Sequence, residues 1–183
     1  MSASSYVVLG LVEQCGTATP YDLKRMVDVS IGYFWDFPQS QLYAEAARLV
    51  GLGLLVEEQE PSGRRRRLLS VTEAGIDALR TWVAEPTLST SQVRDLGLLK
   101  LFFADVVDRR TLVRLAEQQR DAHLQRLSEY EALDVSGPSP KSTQHRTLEM
   151  GLTFERACVA FWESVMAEPP RQRTTPHRSR KSG

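Results

Sequence analysis

The sequence predicts a mostly α-helical protein with a single β-hairpin, organised as two domains and a tail. Three observations lead to this prediction. Helix start and stop signals recur along the chain, one pair of β-like runs interrupts them, and the last residues are basic and rich in proline. We place the domains at residues 1–86 and 87–168, and we expect residues 169–183 to be a disordered basic tail.

The composition is that of an ordinary globular chain. Its 183 residues are 42% hydrophobic and 25% charged, which is enough for a compact core in one or two small domains. No apolar run is long enough to span a membrane, and the first residues lack the basic start of a signal peptide. Cys15 and Cys158 lie far apart, so we expect buried free thiols and a cytoplasmic location.

The charge is balanced overall but not evenly placed. Lys plus Arg and Asp plus Glu each number 23. Residues 1–86 hold 8 basic and 11 acidic side chains, so the chain offers no bulk attraction for nucleic acid. Any binding of nucleic acid would have to come from a local patch, and the candidate is the run of four arginines in "PSGRRRRLLSVT". Such a run is otherwise a solvated surface.

Three helices are expected before this run. The first spans about residues 5–14 and ends at Gly16, because glycine is favoured directly after a helix. The second spans about residues 20–29, with Thr19 as N-cap, Pro20 in the first helical position and Asp22 completing a capping box. The third is expected to begin at Asp36, with Pro38 in its first turn.

The third helix has two different faces. Leu42, Ala46 and Leu49 follow helical spacing and predict a buried face. The opposite side is polar and mostly uncharged: Gln39, Ser40, Gln41, Tyr43 and Arg48. Gly51 and Gly53 close the helix.

A hairpin and a fourth helix complete the first domain. The runs "LLVEEQE" and "RRLLSVT" are β-like, and "EPSG" between them is a tight-turn sequence. Alternation predicts Arg65 and Arg67 on the face of Leu69, and Arg64 and Arg66 on the other face. Thr72 then begins a helix that stops at Pro86.

The second domain is expected to be entirely helical. "SQVRDLGLLKLFFADVV" predicts an apolar helix, and Asp108 caps a long helix that runs to about Leu133. Ser139 and Pro140 are expected to be the N-cap and first residue of a last helix with an aromatic-rich apolar band.

Three helices followed by a hairpin and a helix are the order of a winged-helix domain. In that fold the third helix faces the DNA major groove and the hairpin, or wing, reaches the phosphate backbone. The candidate DNA contacts are Tyr21, Lys24, Arg25, Gln39, Ser40, Gln41, Tyr43, Arg48, Arg64, Arg65, Arg66 and Arg67. Two alternatives stay open: Tyr43 as a half-buried support of the helix, and Arg48 as the partner of Glu45.

The motifs of this region resemble those of PadR-like transcriptional regulators. The matching pieces are "YVVLGLV", "YDL" at residues 21–23, "LYAEAARLVGLGLL" and "TEAG". One departure is Ala44 after Tyr43, where many members have proline. The resemblance implies a homodimeric repressor whose C-terminal helices, with the first helix, form the dimer contact. Its two winged-helix units would bind successive major grooves of a palindromic operator, about 34 Å apart.

Other functions are less well supported by the residues. His123 and His145 have no partners at metal-ligand spacing, and the chain has no phosphate-binding or hydrolase motif, so we expect neither metal, cofactor nor enzyme activity. An alternative is a winged-helix module for protein–protein contact that does not bind DNA. An aromatic effector that releases the DNA is a further hypothesis, and its candidate pocket is Trp35, Trp82, Phe102, Phe103, Phe161 and Trp162.

Overall fold

The computed structural model describes residues 1–35, 37–60, 66–90, 94–137 and 139–170. The chain divides into two compact units, Met1–Thr90 and Ser91–Gly183. Each unit is described by itself below. The tail was predicted to be disordered from residue 169 onwards. Its residues after Pro170 lie outside the described part of the chain.

Among its described residues, the first unit contains four α-helices and a two-stranded antiparallel sheet. In chain order the elements are α1 (Ala3–Cys15), α2 (Pro20–Asp28), α3 (Gln39–Gly51), β1 (Leu55–Gln59), β2 (Arg67–Val71) and α4 (Glu73–Ala84). A short 3₁₀ turn, Ile31–Tyr33, lies between α2 and α3. This is the predicted order of elements.

The predicted signals at the end of α1 and at the starts of α2 and α4 are confirmed. Gly16 follows α1 with a φ of 72°, a conformation that glycine adopts without steric cost. The Thr19 hydroxyl accepts a hydrogen bond from the Asp22 amide at 3.2 Å, and the Asp22 carboxylate accepts one from the Thr19 amide at 3.0 Å. Thr72 caps α4 by accepting from the Gly75 amide. Each cap satisfies amides that have no partner within the helix.

The predicted start of α3 is wrong. The N-cap is Pro38, which lies before the first turn and makes no side-chain cap, and helical residues begin at Gln39. Pro38 has an extended ψ of 128°, and its carbonyl accepts a hydrogen bond from the Gln41 amide at 2.9 Å. Asp36 itself lies outside the described residues, and it precedes the N-cap by two positions.

The core of the first unit draws on α1, α2, α3 and the hairpin. Its fully buried residues include Leu9, Leu23 and Leu49, together with Leu55 and Leu69 of the strands. On α3, Leu42 and Ala46 are buried beside Leu49, as the spacing predicted.

The start of α4 lies close to the residue that precedes β1. A Cβ at Gly75 would lie 2.2 Å from the carbonyl oxygen of Leu54. This close approach requires glycine at position 75.

The strand β2 is bonded on both sides. On one side β1 pairs with it in antiparallel register, with Leu55 opposite Val71 and Gln59 opposite Arg67. On the other side the amide and carbonyl of Leu69 bond to the carbonyl and amide of Ala18, at 2.9 and 3.0 Å. Because Ala18 directly precedes the Thr19 cap, these two bonds tie the hairpin to the start of α2.

The second unit contains three helices among its described residues: α5 (Leu96–Phe102), α6 (Arg109–Ser136) and α7 (Thr143–Ala167). Asp95 and Asp108 cap α5 and α6, and the long α6 and α7 pack along each other. The core of this unit consists of Ala104, Leu112, Ala116, Trp162 and Val165.

Several predictions for the second unit and the thiols need correction. The apolar helix ends at Phe102, and the 3₁₀ turn Ala104–Val106 follows it. The last helix is capped by Ser142 and not by Ser139: the Ser142 hydroxyl accepts from the His145 amide, and the Ser139 carbonyl accepts from Ser142. Ser139 and Pro140 therefore lie in the turn before α7. Cys15 is exposed, contrary to the expected burial, whereas Cys158 is half-buried.

Within the described part of the chain, no helix combines the length and the apolar character needed to cross a membrane.

Candidate nucleic-acid interface

The start of α2 presents polar groups to solvent. Its capping box orients the first turn, and from there Tyr21 and Arg25 are exposed while Lys24 is half-buried. Hydrogen bonds from Thr19 lower the pKa of the Asp22 carboxyl, and the charges of Arg25 and Arg66 lower it further.

The outward face of α3 carries the predicted hydrogen-bonding groups. Burial of Leu42, Ala46 and Leu49 turns Ser40, Gln41 and Tyr43 outward, and all three are exposed. Tyr43 is 48% exposed, which fits both a DNA contact and the half-buried support of the alternative interpretation. The Gln41 side-chain oxygen accepts a bond from the Ser4 hydroxyl at 3.4 Å. The side chain of Gln39, another predicted contact, lies outside the described part of the structure.

Arg48 is held by partners in its own unit. It forms a two-pronged ion pair with Glu45, and it donates to the Ser5 hydroxyl at 2.7 Å. Ser5 is fully buried in α1 and donates in turn to Glu45. The hydrogen bonds from Arg48 and Ser5 lower the pKa of the Glu45 carboxyl. The structure therefore favours the pairing alternative for Arg48, as a tie between α1 and α3.

The two described wing arginines are also paired. The Nε and Nη2 groups of Arg66 donate to the two oxygens of Glu60 at 3.0 and 2.9 Å. Those of Arg67 donate to Glu57 at 2.7 and 2.5 Å. Each arginine lowers the pKa of its glutamate by hydrogen bonding.

These pairs change the view of the wing that the sequence suggested. Both guanidinium groups are exposed at the surface, and Arg67 is not part of the core although it shares the face of Leu69. The predicted contacts Arg64 and Arg65 lie outside the described residues. The glutamate partners were not predicted, because opposing positions in a hairpin follow from its register, which the residues alone leave undetermined.

The six candidate pocket aromatics have different surroundings. In the first unit Trp82 stacks on Tyr6, with ring centroids 4.6 Å apart, and Trp35 is exposed. In the second unit Trp162 is buried in the core, with Phe161 at its edge. Phe102 and Phe103 contact each other edge to face and are both exposed.

Two histidine–carboxylate contacts join the long helices of the second unit. His123 of α6 lies 2.6 Å from the carboxylate of Glu155 on α7, and both side chains are largely buried. His145 of α7 lies 3.4 Å from Asp134 of α6. The described residues hold no group of three or more His, Cys, Asp or Glu side chains that could bind a metal ion. These contacts are pairwise links between α6 and α7.

A helix-turn-helix with an exposed polar second helix, followed by an arginine-bearing hairpin, defines a winged-helix DNA-binding protein. A family model described as "Virulence activator alpha C-term" matches residues 93–168. The negative transcriptional regulator PadR of Bacillus subtilis is 25% identical over 178 residues, which cover 91% of this chain and 97% of the relative. The chain is therefore similar to PadR-like transcriptional regulators over most of its length.

Solved structures agree with this fold. Bacillus subtilis PadR in complex with operator DNA superposes with a TM-score of 0.80 at 23% identity, over 91% of this chain and 98% of that one. The Vibrio cholerae virulence activator AphA gives a TM-score of 0.62 at 29% identity, over 91% and 97%. These relatives are regulators of transcription and not enzymes. The role printed for these relatives is transcriptional regulation, and one structure of the Bacillus subtilis relative contains operator DNA.

Proposed function

We propose that this protein is a homodimeric repressor that binds a palindromic operator and is released by a small effector, in the cytoplasm. The observation that carries the proposal is the winged-helix unit itself. Its α3 turns Ser40, Gln41 and Tyr43 outward, and hydrogen bonds at Ala18 anchor the arginine-bearing hairpin to the same helix-turn-helix. The relative in Bacillus subtilis is named a negative regulator, and one of its solved structures contains operator DNA.

The proposed contacts divide into two kinds. Ser40, Gln41 and Tyr43 on α3 are uncharged donors and acceptors suited to base edges, and they would determine sequence preference. The remaining groups are suited to phosphates, which position the protein but carry no sequence information. These are Tyr21, Lys24 and Arg25 of α2 and the wing residues Arg64, Arg65, Arg66 and Arg67. Gln39 belongs to the first kind by its position, whereas the paired Arg48 would act by holding α3 on α1.

A stripe on α7 supports self-association. Met150, Phe154, Ala157 and Phe161 follow spacings of four, three and four residues and are all exposed. A second face of α7 carries the buried residues Leu152, Trp162 and Val165. The exposed apolar face of α7 therefore needs another surface to cover it. Most often that surface belongs to a second copy of the same chain.

The effector is proposed to be a small aromatic molecule. A solved structure of the Bacillus subtilis relative contains p-coumaric acid. In this chain the exposed aromatic side chains Phe102 and Phe103 are candidates to stack on such a ring. If the effector releases the DNA, linkage requires that operator DNA weaken effector binding by the same factor. Equal affinity for p-coumaric acid with and without operator would contradict release by that compound.

The proposed function is tested with the DNA upstream of the protein's own gene. A gel-shift titration is expected to show binding that weakens steeply as salt rises, because each neutralised phosphate contributes about 0.9 to the log–log slope. Gln41→Ala and Tyr43→Phe are expected to change the preference among operator variants, with an unchanged salt slope. An in vitro transcription assay then separates the two modes of regulation. A fall in transcript supports a repressor, whereas a rise would indicate an activator.

A further inference from the structure

The wing holds two arginine–glutamate pairs with the same geometry on opposite faces of the hairpin. Glu60 follows β1 and lies across from Arg66, to whose carbonyl its amide is bonded at 3.0 Å. Glu57 and Arg67 are diagonal neighbours on the inner face: Glu57 opposes Leu69, and Arg67 lies two residues before Leu69 in β2. Each guanidinium donates two parallel hydrogen bonds to one carboxylate, and both arginines are more than half exposed.

A phosphate and a carboxylate use the same donors of an arginine. Both anions accept two parallel N–H bonds from the Nε and Nη edge of the guanidinium. A DNA phosphate therefore cannot take that edge of Arg66 while Glu60 holds it, and the same is true of Arg67 and Glu57. Since the glutamates lie at the surface, the exchange of one anion for the other requires no opening of the core.

We propose that Glu57 and Glu60 are intramolecular competitors of the DNA phosphates, which hold the wing arginines in the free protein and so lower its affinity for DNA. The inference rests on the proposed function, because it requires the wing to lie against the DNA backbone. While each glutamate holds its arginine, that arginine cannot neutralise a DNA phosphate and release its counterion. Two phosphate contacts are therefore lost until the ion pairs break. The two glutamates thereby decide how strongly the wing contributes to binding.

The strand provides its own matched control. Glu58 lies between the two competitors in β1, its side chain is exposed, and no ion pair joins it to another described residue. Glu58→Gln changes the net charge by the same amount as Glu57→Gln or Glu60→Gln, but it frees no described arginine. A general loss of negative charge and the release of an arginine can therefore be separated.

The experiment measures binding of the full chain to a random-sequence 30-base-pair duplex by fluorescence anisotropy, between 50 and 200 mM salt. Glu60→Gln and Glu57→Gln are each expected to tighten binding about five- to fifteen-fold at 50 mM salt and to steepen the log–log slope by about 0.9, as one added phosphate contact would. Glu58→Gln is expected to change the affinity less than about twofold. Circular dichroism and thermal unfolding of each variant check that the fold is unchanged.

A double substitution tests whether the effect acts through the arginine. In an Arg66→Ala background, Glu60→Gln is expected to do no more than Glu58→Gln does, because no guanidinium remains to be released. If the wild type binds DNA but Glu60→Gln and Glu58→Gln change the affinity equally, the inference is overturned and the proposed function is not. An effect of Glu60→Gln that survives Arg66→Ala would overturn the inference as well. Absence of any wild-type binding at 50 mM salt would overturn both the proposed function and the inference.

Discussion

The two units of the chain differ in the size of the apolar core that each one encloses. In the described part of the first unit, thirteen buried apolar residues form one cluster that joins α1, α2, α3 and the hairpin. The corresponding cluster of the second unit contains five, while Met150, Phe154 and Phe161 lie exposed along α7. The core of the first unit supports the proposed DNA-binding surface. In the second unit the core is smaller and the exposed apolar side chains of α7 form one stripe, which is the basis for the proposed dimer.

The largest expected effect comes from the two cores. Leu49→Ala in the first unit is expected to cost about 2–5 kcal/mol of unfolding free energy, and Trp162→Ala in the second about 3–5 kcal/mol, because each removes a fully buried side chain. Chemical denaturation at several protein concentrations measures both. If the second unit is completed by a partner, the midpoint will rise with concentration. An unfolding midpoint that does not change with protein concentration would contradict the proposal that a partner chain completes the second unit.

A charge in the α7 stripe is expected to separate the subunits. Phe154→Glu places a carboxylate in the proposed contact and is expected to give a monomer with operator affinity lowered about tenfold or more. Light scattering after size exclusion gives the mass, and anisotropy gives the affinity. Ala160→Glu is the control, since Ala160 is exposed on the polar side of the same helix. If both variants are monomers, the dimer contact is not specific to the α7 stripe.

A smaller effect is expected at the start of α2. Thr19→Ala removes the hydroxyl that accepts from the Asp22 amide and should cost about 1 kcal/mol of unfolding free energy. The variant Thr17→Ala, at an exposed position before the cap, is expected to be neutral. Urea titration of both variants measures the difference. Equal stability of the two would mean that the cap adds nothing to the first unit.

The smallest effect concerns the acid stability of the same cap. Since the pKa of Asp22 is lowered in the folded protein, its ionised form adds stability above the ordinary value of 3.8. That stability is lost as the pH falls through the lower folded-state pKa. Asp22→Asn does not titrate, so it is expected to reduce the loss of stability between pH 7 and pH 3. An unchanged loss would show that other carboxylates carry the acid sensitivity.

The parts of the fold that the sequence predicted correctly depend on interactions between near neighbours. Thr19 with Asp22, Thr72 with Gly75 and Asp108 with Thr111 are caps that span three residues, and each is present as expected. The start of α7 was misplaced because Ser139 and Ser142 are both good caps, and the choice between them is not a local one. The partners of Arg48, Arg66 and Arg67 lay beyond prediction for a similar reason, since they follow from hairpin register and from the packing of α1 on α3.

The hydrogen bonds between Ala18 and Leu69 have a consequence for the behaviour of the chain at high concentration. A two-stranded ribbon has two open sides, and an open side can recruit strands from other molecules and start aggregation. Here the backbone of Ala18 already occupies the outer side of β2 at Leu69. The residue that orients the wing on α2 thus also shields this point of the ribbon from intermolecular strand pairing.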